Sequence, residues 1–380
     1  MKPDWNPHSD DVQRNQRAAY DDMRERCPVA YSEENGWTLF RHRDVMSVLQ
    51  DTENFSNAVS QHLSVPSGMD PPEHTAWRVL IEKYFLPDAM CAFEPQCRAI
   101  SRKLIESAVQ SGTVEFMAQV ALPFAVQVQC AFLGWPDELH DQLINWVRKN
   151  HRATLAQDRA AMSEIAREFE RLIDDMIEVR QSSDATEAQD ITTSLMRDKI
   201  WGRTLSNEEI ASILRIWTVG EIGTIAASIG ILGHFLADQS DIQKQLRKQP
   251  SLLPKAIDEI LRIRGPLLSN RRIAKAAVKI GGREICEGDR ITINWIAANR
   301  DPDVFPSPDT FSLDRDPSTN LLYGSGIHVC PGAPLARIEM RVFLEELFAA
   351  STAVDTVPGS HPSLAAPPAS GFTTLPLRIR

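Results

Sequence analysis

The decapeptide Tyr323-Gly324-Ser325-Gly326-Ile327-His328-Val329-Cys330-Pro331-Gly332 constrains this chain more than any other stretch, because it runs straight into an apolar helical segment. Gly324 and Gly326 permit a tight loop whose backbone N–H groups approach a sulfur closely. Pro331 suits the first turn of a helix, where its missing N–H would have no partner anyway. A helix beginning at Ala333 and ending near Ala349 then aims its positive dipole end at Cys330 and favours the thiolate. The arrangement suits one cysteine thiolate held against an iron. His328 stands within reach of an acidic group on the same cofactor.

At 380 residues the chain exceeds the usual single-core size, yet no linker divides it, so the expectation is one catalytic domain over residues 1–380. Charged residues at 24% and hydrophobic ones at 43% describe an ordinary soluble globular protein. A net charge of −10, with no long Lys/Arg block against it, argues against nucleic acid as the main partner. The first residues have no apolar h-region, and no stretch reads as a membrane span. A cytoplasmic protein with no membrane partner is expected. Cys27, Cys91, Cys97, Cys130, Cys286 and Cys330 lack paired spacing, so neither a disulfide framework nor a zinc site follows. Most of them read as buried thiols in a reducing compartment.

Asn35-Gly36 supplies a hairpin turn between Val29-Ala30-Tyr31 and Trp37-Thr38-Leu39-Phe40, with a helix on either side. The pattern is mainly helical from about Ser101 to Arg180, with a break at Gly134-Trp135-Pro136, and 181–189 reads as a polar loop. Ser206-x-x-Glu209 is a capping box, and Ile210, Ile213, Leu214 and Trp217 continue on one helical face. The last third alternates short strands, at 278–280 and 290–293, with Pro/Asp/Gly-rich loops. The fold class expected is mainly α with small β-sheets, an α+β chain.

On that helix Trp217, Glu221 and Thr224 are related by i+4 and i+3 and share the inward face. A carboxylate there is costly to bury unless it is hydrogen-bonded or serves the chemistry. Gly220 and Gly223 weaken the helix by about 1 kcal/mol each relative to alanine, which predicts a kink or bulge. His74 and Arg78 lie four apart on one helical face after Pro71-Pro72, and Glu259 and Arg262 meet at i,i+3.

The Cys330 loop closely resembles the haem-binding loop of the cytochrome P-450 monooxygenases, aromatic-Gly-x-Gly-x-His-x-Cys-x-Gly, with Tyr323 where Phe is usual. Further signatures occur in that family's order. They are His74-x-x-x-Arg78, Gly220 to Thr224, Glu259-x-x-Arg262 and Ala298-Asn299-Arg300-Asp301. The resemblance implies haem b with Cys330 as axial ligand, and a haem lying between a long distal helix and the Cys330 helix. It implies propionate partners in His74, Arg78, Arg272 and His328, and a structural brace of Glu259, Arg262 and Arg315. Thr224 takes the place of the oxygen-activating threonine. Gly223 stands where the family has an acid, and Glu221 where it has glycine.

Glu221 admits three readings: proton relay with Thr224, a substrate contact, or a structural acid without a direct role. Substrate contacts carried over by resemblance are Ile213, Trp217, Leu267, Leu268 and Phe372. The short 57–69 loop favours a small organic substrate over a macrolide. With no flavin or nicotinamide fingerprint, electrons for O2 must come from a separate ferredoxin or flavodoxin and its reductase. Arg78, Lys83, Arg337 and Arg341 are candidates for that docking patch. The expected protein is a monomeric haem-thiolate monooxygenase carrying out hydroxylation or oxidative dealkylation. The alternatives are a peroxide-driven peroxygenase and, last, a non-catalytic haem-binding carrier or sensor.

Overall fold

The computed structural model describes residues 2–60, 62–156, 158–182, 190–365 and 369–380. Of the expected polar loop at 181–189, residues 183–189 lie outside them, while 181 and 182 still close a helix. Among the described residues helices dominate and the sheets are small.

The longest element is the helix Asn207–Asp238. It begins where the sequence predicts: Ser206 Oγ accepts from the Glu209 N–H at 3.2 Å, and Glu209 Oε2 accepts from the Ser206 N–H at 2.7 Å. It is buried on most sides because the helices Leu122–Leu133, Arg159–Ser182, Leu253–Ile263 and Ala333–Ala350 all pack on it. Its length and apolar composition would suffice to cross a membrane, which corrects the reading that no stretch does so. In this fold 67% of its most apolar window is buried inside the protein. The helix also runs unbroken through Gly220 and Gly223, without the expected bulge. Gly233 instead serves packing: a Cβ there would stand 2.8 Å from Phe116 Cε1.

The N-terminal hairpin, Val29–Ser32 with Gly36–Leu39, does not form a sheet of its own. Gly36–Leu39 pairs in parallel with Arg290–Asn294, which pairs antiparallel with Ser269–Ala274, and Phe55–Ser56 closes the edge. Segments about 250 residues apart in sequence thus share one five-stranded sheet. Its register places Arg272 opposite Ile291. The helices Pro87–Ser111 and Ala333–Ala350 lie together, joined by Arg98 to Glu345 and Glu346 (2.7 and 2.9 Å) and by Arg341 to Glu94 (2.6 Å). Cys97 and Cys130 are buried as expected, whereas Cys91 and Cys286 are exposed and Cys27 is half-buried.

The Cys330 loop is anchored by the helix Leu253–Ile263. Arg262, with its side chain 1% exposed, holds Glu259 through Nε (2.7 Å) and Nη2 (3.0 Å), and Arg315 Nε reaches the same carboxylate at 2.9 Å. Arg262 Nη1 then donates to the Asn299 carbonyl at 2.7 Å, and Asn299 Oδ1 accepts from the Leu321 N–H at 2.8 Å. The Leu321 carbonyl accepts from the Gly324 N–H at 2.9 Å, which brings the path into the loop. Removing one partner of a buried ion pair strands the other charge. Glu259→Ala should therefore lower the unfolding free energy by about 3–5 kcal/mol, read from the urea midpoint at constant slope.

Candidate active site

The loop carrying Cys330 needs both of its glycines, though not for the reason the sequence suggested. Gly324 and Gly326 have φ of +74° and +72°, and a Cβ on Gly326 would meet the Leu49 carbonyl oxygen at 2.5 Å. They fold the loop down onto the end of the helix His42–Gln50. The N–H groups that reach the Cys330 sulfur belong to Gly332 and Ala333. The Cys330 N–H donates to the Tyr323 carbonyl at 2.9 Å. Pro331 lies outside the helix Ala333–Ala350, whose first turn holds Pro334 instead. Cys330 is accessible, yet protein encloses it so closely that burial is the strongest influence on its thiol. Burial pushes the thiol up, and the Gly332 and Ala333 N–H groups oppose that shift.

His74, Arg272 and His328 converge beside this loop. The His74 and His328 rings lie 4.2 Å apart between centroids. Burial, with His74, Arg272 and Arg78 close by, pushes His328 down to about 3. Burial and Arg78 lower His74, whose Nε2 is buried without a partner. Arg272 is 7% exposed and pushed down to about 10 by burial. Among the described residues its hydrogen bond goes to the Arg271 carbonyl, at 2.8 Å, and no carboxylate pairs with it. Arg78 differs from the other three. It bonds Glu82 Oε1 and the Val329 carbonyl, both at 2.6 Å, and so braces the loop next to Cys330.

On the long helix the open stripe is not the one expected. Val219 is 48% exposed, and a Cβ built on Gly220 or Gly223 meets nothing within 4 Å. Thr224 stands at the edge of this stripe. Its hydroxyl donates to the Gly220 carbonyl at 2.6 Å, with the Glu221 carbonyl at 3.3 Å. Trp217 and Glu221 turn away from the opening. Trp217 packs edge-on against Phe85 and Tyr84. Glu221 acts on Glu339 of the helix Ala333–Ala350, whose carboxyl burial and then Glu221 push up. The Glu221 charge acts on Cys330, pushing its thiol up after burial has done so.

The five residues carried over as a substrate pocket do not line one surface. Ile213 is fully buried in the main core, and Leu268 (4% exposed) packs in a separate cluster with Tyr20 and Phe40. Phe372 stacks on His234 at 4.8 Å, and Trp217 is core packing. Of the five, Leu267 keeps appreciable exposure, 38%. The basic residues read as a docking patch are each ion-paired: Arg78 with Glu82, Lys83 with Asp198, Arg337 with Asp258, and Arg341 with Glu94 and Glu345.

Glu339 was missed at the level of sequence. It is 0% exposed, with both carboxylate oxygens buried and unbonded to any N–H or O–H donor. A signal was present: it falls four residues after Leu335 and four before Phe343, on the apolar stripe of its helix.

Comparison with known proteins agrees with this geometry. A family model for cytochrome P450 matches residues 137–350. The 6-deoxyerythronolide B hydroxylase of Saccharopolyspora erythraea is 33% identical over 282 residues, covering 73% of this chain and 68% of that one. Cytochrome P450 109 of Bacillus spizizenii is 29% identical over 372 residues, 95% of this chain and 91% of the other. The crystal structure of CYP109E1 from Bacillus megaterium with corticosterone superposes with a TM-score of 0.86 at 29% identity, covering 97% of this chain and 99% of that one. The shared motifs, the shared fold and this degree of identity together place the chain in the cytochrome P450 family of haem-thiolate monooxygenases.

Proposed function

We propose that this chain is a single-domain, cytoplasmic monooxygenase that inserts one oxygen atom of O2 into a small organic substrate, by hydroxylation or oxidative dealkylation. One observation carries the reading: an accessible cysteine sulfur approached by the N–H groups of Gly332 and Ala333, with His74, Arg272 and His328 gathered beside its loop. Those residues fit haem b. Cys330 would hold the iron, while Arg272, His328 and His74 would hold the two propionates. When bound, the thiolate-ligated haem supplies the reductive activation of dioxygen. The chain's own part is to keep the sulfur in place through the Glu259–Arg262 brace and the Arg78–Val329 bond, and to keep Thr224 at the edge of the open stripe.

Burying three basic groups together with only Asp70 acting against them is unfavourable, and a dianionic ligand lowers that penalty. His328, held down near 3 by its neighbours, binds as a neutral donor or takes up a proton once the propionates arrive. Electrons would come from a ferredoxin or flavodoxin with its reductase. Because the basic residues flanking the Cys330 side already have acidic partners, docking there would have to exchange ion pairs rather than fill free charges. A second reading, a peroxide-driven peroxygenase, draws on Gly223, which offers no acid beside Thr224. It predicts product from hydrogen peroxide without any electron donor.

Arg272→Gln should speed transfer of haem to an acceptor protein by about 10- to 100-fold, the value of one charge-assisted hydrogen bond. Cys330→Ser should retain the fold by circular dichroism and lose the thiolate-type absorption spectrum. A screen of the ferric protein against terpenes, aromatics, alkaloids and steroids tests the substrate class. Steroids are included because CYP109E1 was crystallised with corticosterone. A low-to-high-spin shift identifies a ligand. Failure of the purified protein to take up haem would overturn the reading.

A further inference from the structure

Trp217 and Tyr84 pack the core, but they are also two readily oxidised rings on a path leading out from the Cys330 sulfur. A Cβ built on Gly332 would stand 4.0 Å from that sulfur and 3.8 Å from Phe85 Cε1, so the Phe85 ring lies beside it. Phe85 meets Trp217 edge-on at 5.3 Å between ring centroids, and Trp217 meets Tyr84 the same way at 5.7 Å. Tyr84 then donates its hydroxyl to Asp198 Oδ2 at 2.7 Å, while the exposed Lys83 pairs with Asp198 Oδ1. The series starts beside the candidate iron ligand and ends at the protein surface.

Trp217 Nε1 is buried without a partner, so an oxidised Trp217 has no base to take its proton and passes the charge on. Tyr84 differs. A phenol gives up an electron readily only when its proton leaves too, which needs a base within hydrogen-bond reach, and Asp198 is that base. The Lys83 ammonium, 5.0 Å from the Tyr84 ring centroid, disfavours a positive ring and so favours loss of that proton. Burial and then Asp198 push the phenol up, which keeps its proton in place until the electron goes. Among the described hydrogen bonds of the four tyrosines, Tyr84 alone donates to a carboxylate. Tyr323 adjoins Cys330 through its carbonyl, but its hydroxyl is buried with no partner to take a proton. We propose that Tyr84 is a redox-active residue through which the protein uses hydrogen peroxide to oxidise small one-electron reductants at its surface, with Trp217 as relay and Asp198 as proton acceptor. As peroxide is reduced at the haem, one electron is drawn from Tyr84 through Trp217, and the Tyr84 proton moves to Asp198. A neutral tyrosine radical is left beside a neutral Asp198 carboxyl. A reductant such as ascorbate returns the electron, and Asp198 returns the proton. Two such cycles convert one hydrogen peroxide to two waters, with two protons taken from ascorbate and solvent, and one ascorbate to dehydroascorbate. No oxygen atom reaches the reductant, which separates this activity from oxygen insertion. The proposal rests on the haem-thiolate reading above.

The test mixes the haem-loaded full chain with hydrogen peroxide, without organic substrate, and freezes it for electron paramagnetic resonance. The wild type should show a tyrosine radical that ascorbate removes. Y84F should lack that signal while keeping the haem spectrum and circular dichroism of the wild type. D198N keeps the ring and removes the acid, and should lower the radical yield. Ascorbate-dependent consumption of peroxide should fall with the radical in both variants. No tyrosine radical in the wild type, or an undiminished one in Y84F or D198N, overturns the proposal. A second measurement needs no haem: an ultraviolet flash ionises tryptophans in the purified chain, and transfer to tyrosine is followed by transient absorption. A phase independent of protein concentration should appear in the wild type and vanish in Y84F and in W217F. Its persistence unchanged in either variant overturns the proposal, as does its absence from the wild type. A protein that takes up no haem fails the parent reading, while the flash result still decides whether Trp217 and Tyr84 conduct.

Discussion

The buried Glu259–Arg262 pair is the interaction on which the site depends. Taking a guanidinium out of water is tolerable only when its donors are satisfied, and here they are shared among a carboxylate and the carbonyls of Asn299 and Pro308. Those carbonyls belong to the segment that leads into the Cys330 loop, so satisfying one arginine also sets the course of that segment. Arg315 closes the arrangement from the far side by bonding Glu259 and the carbonyls of Pro306, Ser307 and Thr310. The loop itself has little apolar area with which to hold its shape. Its position is borrowed from the charge pair beneath it.

The balance differs beside the sulfur, where His74, Arg272 and His328 are gathered with Asp70 as a partial counter-charge. The fold bears the cost of burying them, visible as downward shifts in all three with burial the largest cause of each. Such an arrangement is worth keeping only if an anion offsets it, and two propionates on one flat cofactor are the right charge. The long helix and the helix Ala333–Ala350 bring the reverse case, the buried carboxyls Glu221 and Glu339, both pushed up by burial.

Much of this was legible in the sequence where the signal is local. The capping box at Ser206 and Glu209, the Asn35-Gly36 hairpin, the break at Gly134 and the i,i+3 approach of Glu259 and Arg262 each depend on a few neighbouring residues. Phase on a long, apolar helix was not legible. Trp217, Glu221 and Thr224 share a face by spacing, but a helix apolar nearly all round gives no amphipathic contrast to say which side opens. The open side proved to be Val219, Gly220 and Gly223. The carried-over residues Leu267 and Leu268 part for a related reason. Leu267 and Leu268 are adjacent in a strand-like segment, and alternation sends one out and the other into the core.

By itself, the sequence determined the family, the candidate cysteine, the helical class and the local turns, because motifs and caps are written in short-range spacing. Only the tertiary structure decided which charges meet. The register of a sheet joining residues 36–39 to residues 290–294 places Arg272 near His328. The packing of two helices more than a hundred residues apart puts Glu221 against Glu339. Contacts of that range depend on how apolar faces close around one another. Burial then fixes the protonation of whatever polar group is enclosed, which no single stretch of sequence can specify.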